Sequence, residues 1–314
     1  MKAAFLCVGL TVLAGGACKK SGGGGGGGGG GWLVGASGLM VNVQTDGSEA
    51  GYDLKSTETL NAIACRFQDE AWVVGNHGTL LYTDDAGASW TTQAVPTTAD
   101  LRALATQNIG PIFVAGNGVF LTSNDAGLHW TQLGDGSVNF RAVAAAQDAT
   151  TVLAVSEDGT VFAVEDHQLV ARGSFAGARA VAVSADGKTA VLAGDHMFAK
   201  SVDAGRTWAA LASPENVAFD DIRVDDEGQA TAVGERGTVA HIASDTTIAL
   251  QHIGTANLHT VHIAPLGAEY ENVGITAGDG GAVFMTFDGG WTWEAQPSVA
   301  ATVLGADQIG DGHR

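Results

Sequence analysis

Nine histidines, 34 carboxylates and 15 Lys or Arg side chains are the raw material for chemistry in this 314-residue chain. A metal needs several ligands converging, and a nucleophile needs a base beside it. His241, His252, His259 and His262 lie within one short stretch, but no His-x-x-x-His falls on a helix-period segment and no Cys-x-x-Cys occurs. They read as solvated or core histidines, and no metal or other cofactor is expected. Asp-Asp-Glu-Gly (225–228) and Ser-Ala-Asp-Gly (184–187) contain fragments of a calcium loop without the remaining ligands, so they read as turns. The sharpest anomaly is cationic. Arg102, Arg141 and Arg179 stand second in LRALA, FRAVA and ARAVA, in a chain with few basic residues. Such an arc of guanidinium groups suits a carboxylate or an acidic peptide. It equally suits pairing with turn carboxylates that fix the spacing of neighbouring segments.

Those three stretches belong to a longer series. LNAIA (60–64), LRALA (101–105), FRAVA (140–144), ARAVA (178–182), FDDIR (219–223), LHTVH (258–262) and ATVLG (301–305) begin 38–43 residues apart. Each of the first six precedes a second β-rich run, a tight Gly-containing turn such as GNHG (75–78), and a third run. Four short strands on a period near forty are the signature of a β-propeller blade. The ends complete the count. WLVGASGLMVNVQTDG (32–47) reads as a second strand, a turn from Gly35 to Gly38 and a third strand, while 301–310 supplies a first strand with nothing after it. The C-terminal strand is therefore expected to join the N-terminal three. This makes an all-β, seven-bladed propeller of four-stranded antiparallel blades over 32–314, with its open edges removed.

Between third and fourth strands the chain writes Ser/Thr-x-Asp-x-Gly-x-x-Trp four times, as TDDAGASW (83–90), SNDAGLHW (123–130), SVDAGRTW (201–208) and TFDGGWTW (286–293). Asp85, Asp125, Asp203 and Asp288 can accept backbone N–H bonds within their own turns. Gly87, Gly127, Gly205 and Gly290 supply positive φ, and Trp90, Trp130, Trp208 and Trp293 fold back as apolar plugs between blades. The motif is read as scaffold. It resembles the Asp-box (BNR) repeat of sialidases and other propellers. With the preceding W-x-V-G-x-x-G-x-[LV] text, as in WVVGNHGTL (72–80), it is similar to the repeat family of photosystem II assembly factors. That resemblance implies the propeller fold and a binding role, and carries no catalytic residues.

The repeat geometry puts the Asp-motif turns on one face of the ring. The turns between second and third strands, with the second positions of the first strands, fall on the other. That second face is the candidate partner-binding rim: Arg102, Arg141, Arg179 and His259 from first strands, with His77, His196 and Arg236 from the turns. Asn61, Asp220 and Thr302 occupy the equivalent second positions elsewhere.

Outside the repeats, residues 1–17 carry one early Lys2, an apolar run from Ala3 to Leu13 and small residues up to Cys18. The run is too short to span a bilayer in the mature chain. It resembles a bacterial lipoprotein signal cut between Ala17 and Cys18, with Gly15 where that pattern usually has Leu. Cys18 is then the lipidated residue, and 18–31, ending in ten glycines, a flexible tether. The absence of Asp after Cys18 favours the outer membrane or cell surface. A net charge of −19 repels phosphate backbones, so no nucleic-acid partner is expected.

Function reads as a non-enzymatic, lipid-anchored monomer of the cell envelope presenting a polar face to a protein or peptide. The alternative is a glycan-binding or glycoside-hydrolysing surface protein of sialidase type. That reading lacks support from an Arg-Ile-Pro sequence, and the chain has only three tyrosines, Tyr52, Tyr82 and Tyr270.

Overall fold

The computed structural model describes residues 31–45, 47–52, 54, 56–66, 69–107, 110–147, 151–264 and 272–307. The signal segment, Cys18 and the tether up to residue 30 lie outside the described residues, as do 308–314.

The described residues form seven four-stranded antiparallel sheets. In blade 1 the strands are Leu60–Arg66, Glu70–Gly75, Leu80–Thr83 and Thr91–Thr92, in that spatial order. Five further blades repeat the pattern, with first strands Leu101–Thr106, Phe140–Ala145, Ala178–Val183, Phe219–Val224 and Leu258–Ile263. Blade 7 is the composite one: Val303–Asp307 pairs with Gly31–Gly35, which continues into Met40–Val43 and Glu49–Gly51. Consecutive first strands touch all the way round, from blade 1 through blade 7 and back to blade 1. They therefore line the axis of a closed ring, and no blade keeps a free inner edge.

The second strands carry the core. Residues 71–75, 112–116, 152–156, 190–194, 230–234 and 274–278 are buried throughout, because both faces of a blade's second strand pack on neighbouring blades. The apolar clusters sit at the seams: Trp72, Val74 and Leu80 of blade 1 meet Leu101, Ile112 and Val114 of blade 2, and Leu33 and Val41 of blade 7 meet Ile275 and Met285 of blade 6.

Every first strand carries a bulge near its start. In blade 1, Leu60 pairs with Gly75 and Ala62 with Val74, so Asn61 is the extra residue. The same step recurs at Arg102, Arg141, Arg179, Asp220 and His259. In blade 7, Val303 pairs with Gly35 and Gly305 with Val34, so the extra residue is Leu304. This corrects the expectation for Thr302, which lies two residues before the equivalent position. A close approach sets the register: a Cβ on Gly35 would overlap the carbonyl of Thr302, as one on Gly75 would overlap that of Thr59. Thr302 is thus the counterpart of Thr59, and Leu304 of Asn61.

Candidate functional site

A bulge leaves one residue out of the ladder and turns its side chain away from the pleat. Seven bulges at the same height, on the seven strands that line the axis, aim seven side chains at one place. Asn61, Arg102, Arg141, Arg179, Asp220, His259 and Leu304, joined by Asn76 and Asp100, line a cavity of about 440 Å³. It opens on the face that carries the turns between second and third strands.

Most of the polar groups around this mouth hold one another. Asn61 Nδ2 donates to Asn76 Oδ1 (2.9 Å) and to the Leu101 carbonyl of blade 2 (2.7 Å). Arg179 Nη2 meets Asp195 of its own blade and Nη1 meets Asp220 of blade 5, both at 2.6 Å. The other oxygen of Asp220 lies 2.9 Å from His259 Nδ1, and His259 Nε2 lies 2.9 Å from Asp279 Oδ1. With a carboxylate at each ring nitrogen, His259 is placed to donate from both when it is protonated. The hydrogen bond to Asp220 raises its pKa, against an opposing effect of burial, with Asp279 adding to the rise. Burial on its own would raise the Asp220 carboxyl, but the bonds from His259 and Arg179 outweigh it and hold the pKa below the ordinary value. One chain of charges thus links blades 4, 5 and 6.

Arg102 of blade 2 pairs with Glu157 on the turn of blade 3, and Asn139 Nδ2 donates to the same carboxylate at 3.2 Å. Bonds from Asn139 and then Arg102 keep Glu157 below its usual pKa. Between these two networks stands Arg141. It is exposed, and among the described residues it has neither an ion pair nor a side-chain hydrogen bond. Two of the three arginines therefore do pair with turn carboxylates and brace neighbouring blades, while the middle one presents its guanidinium to solvent at the mouth.

Carboxylates held ionised by several donors cannot lend a proton near neutrality, so Asp220 and Glu157 are unsuited to act as general acids. The arrangement is one for recognising charge. Of the other rim residues foreseen, His77, His196 and Arg236 lie on the same face at the tips of the turns, each with positive φ, and none lines the cavity. His77 pairs with Glu58 at 2.7 Å. The other histidines of the 241–262 stretch make local contacts: His241 stacks on Trp291, His252 lies 3.1 Å from Thr238 Oγ1, and His262 pairs with Asp307 at 2.8 Å. Both segments with fragments of a calcium loop are turns between first and second strands.

On the opposite face the four Asp motifs are self-contained. Asp203 Oδ1 accepts from Thr207 N (2.8 Å), Oδ2 from Thr207 Oγ1 (2.6 Å), and Ser201 Oγ accepts from Gly205 N (2.9 Å). The Thr207 bonds lower the Asp203 pKa to about 2. Asp85, Asp125 and Asp288 repeat the pattern with Ser89, His129 and Thr292. Gly87, Gly127, Gly205 and Gly290 all have positive φ, between 75° and 94°. Trp90, Trp130, Trp208 and Trp293 are half-buried, each packed into the cluster shared with the preceding blade. No catalytic group is held by these turns.

A family model for the DUF6242 beta propeller domain matches residues 45–172. No curated protein matches the sequence. Among solved structures, one described as YCF48 bound to D1 peptide is 18% identical, with a TM-score of 0.60 over 76% of this chain and 81% of that one. YCF48 from Cyanidioschyzon merolae gives the same identity and TM-score over 76% of this chain and 85% of that one. The WD40 beta propeller domain of Doa1 is 12% identical, with a TM-score of 0.67 over 88% of this chain and 90% of that one. At these identities the likeness shows the fold.

Proposed function

We propose that the chain is a non-enzymatic binding module of the bacterial cell envelope that takes a protein or peptide partner at the channel mouth. Arg141 carries the reading. It is an exposed guanidinium with no ion pair or side-chain hydrogen bond among the described residues, close enough to Glu157 to help hold that carboxylate ionised, in a molecule whose net charge is −19. A local positive potential inside a negative global one selects a carboxylate-bearing segment while the rest of the surface turns other anions away. A solved propeller of this shape holds a peptide, which supports a peptide or protein as the class of partner. Cys18 is the proposed lipid anchor, placing a monomeric propeller at the outer membrane or cell surface without nucleic acid or cofactor.

The test is capture from native membranes. Wild-type chain should retain a partner that Arg141→Glu loses, with little change in unfolding temperature, since Arg141 makes no ion pair or side-chain hydrogen bond among the described residues and acts on Glu157 only at longer range. Equal capture by the folded variant would refute the mouth as the site. Cys18→Ser should move the protein from the membrane to the soluble fraction, and an unchanged distribution would refute the anchor.

A further inference from the structure

Among the described residues, the large apolar side chains standing in solvent are Leu128, Val202, Phe287 and Trp291, with 71%, 72%, 46% and 61% of their surface exposed. All four sit on the Asp-motif turns of blades 2, 4 and 6. They occupy variable positions of Ser/Thr-x-Asp-x-Gly-x-x-Trp, where the turn asks for nothing: its hydroxyl, Asp and Gly make the hydrogen bonds and its Trp packs inward. Blade 1 shows that polar or small residues serve, with Asp84 and Ala88 there. The apolar tips are therefore not needed for folding, and exposed aromatic and aliphatic groups confined to one face mark a contact surface. Trp291 is also held in place. Its ring lies flat on His241 of blade 5 at 4.7 Å and 15°, and Gln251 ties His241 to the Gly290 carbonyl beneath.

A second observation says what covers this face. The strand Gly31–Gly35 begins at the Asp-motif end of blade 7, where Gly31 pairs with Val43, and a Cβ on Gly31 would lie 3.1 Å from Ile275 Cγ2 of blade 6, the blade that carries Phe287 and Trp291. The chain thus enters the ring at Gly31 on the same face as the apolar tips. Twelve residues between Cys18 and Gly31 give a flexible reach of about 20 Å, roughly the length of one strand. So short a leash keeps this face toward whatever holds Cys18.

We propose that the Asp-motif face is a membrane-contact surface: Trp291 and Phe287, with Val202 and Leu128, seat at the headgroup–acyl boundary, and the channel mouth points away from the bilayer. The proposal rests on the reading of Cys18 as the anchor. Aromatic rings are favoured at that boundary, and the acidity of the chain selects zwitterionic over anionic lipid.

The test uses vesicles of phosphatidylcholine with brominated acyl chains and a nickel-chelating lipid. On these, the chain from residue 19, which keeps every strand of the ring, is captured by an N-terminal histidine tag. Bromine should quench part of the tryptophan emission, Trp291→Leu should remove most of that quenching, and combined Leu128→Ser, Val202→Ser and Phe287→Ser should weaken it. No quenching, or equal quenching with Trp291→Leu, would overturn the proposal and leave the tips to a protein partner. Flotation of the native chain and its Cys18→Ser variant reads the anchor separately. If both fail to float, the anchoring reading falls and with it the contact in cells, whatever the quenching shows.

Discussion

Replacing Gly87 with Ala should open the seam between blade 7 and blade 1. Gly87 lies in blade 1 at φ 81°, and its N–H donates to Thr83 Oγ1 at 3.0 Å, so the backbone cannot rotate away without losing that bond. A methyl group there would overlap Cζ2 of Trp32 in blade 7 and lie 3.0 Å from Cη2. Trp32 cannot yield, being buried between Tyr52 at 5.2 Å and Trp90 at 5.6 Å. The left-handed backbone costs an alanine about 1–2 kcal/mol and overpacking a further ~1–3 kcal/mol, so about 2–5 kcal/mol is expected. Gly280→Ala isolates the first contribution, because φ is 63° with nothing within 4 Å of the added Cβ. Urea unfolding followed by tryptophan fluorescence and circular dichroism gives both values from midpoints at a common slope. Trp32→Phe removes the ring atoms that the methyl meets, so the double variant should recover part of the loss as a coupling energy. If Gly87→Ala costs no more than Gly280→Ala, the seam is looser than the contact geometry requires.

Three further outcomes follow from the same contacts. His259 has a folded pKa raised above 6.5, chiefly by its bond to Asp220, so this contribution to stability is fully present below about pH 6.5 and is lost as pH rises through the raised value; His259→Gln should flatten the fall of the urea midpoint above about pH 6.5, and an unchanged profile would contradict this. Removing residues 301–314 deletes the strand Val303–Asp307, exposes edges in the ring, and should give aggregation by light scattering. Lys200 Nζ donates across a seam to the Gly228 and Ser244 carbonyls at 2.7 and 3.1 Å, so Lys200→Met should cost about 1–3 kcal/mol in urea unfolding.

The ring was legible in the text because each blade rewrites the same strand and turn chemistry, down to the Asp motif whose bonds are local. The mouth was legible only in part. Bulges leave no compositional mark, so the reason why Arg102, Arg141 and Arg179 converge appears only in the strand pairing. Thr302 was misplaced because a run of small residues, Ala301 to Gly305, aligns equally well at two registers; the close approach of Gly35 to the Thr302 carbonyl decides between them. Which arginine is left without an ion pair depends on carboxylates brought in from elsewhere in the chain, Glu157 for Arg102 and Asp195 with Asp220 for Arg179. The apolar tips carry no signal in the sequence because they occupy the variable positions of the motif, where a hydrophobic residue breaks no pattern.

Site-specific photo-crosslinking in native membranes tests the central claim most directly. A photoreactive residue replacing Leu304 sits in the channel mouth without disturbing any ion pair, and one replacing Leu128 sits on the opposite face. The account predicts a discrete protein or peptide adduct from position 304, lost with Arg141→Glu, and none from position 128. A protein adduct from 128 alone would place the partner on the Asp-motif face and contradict it.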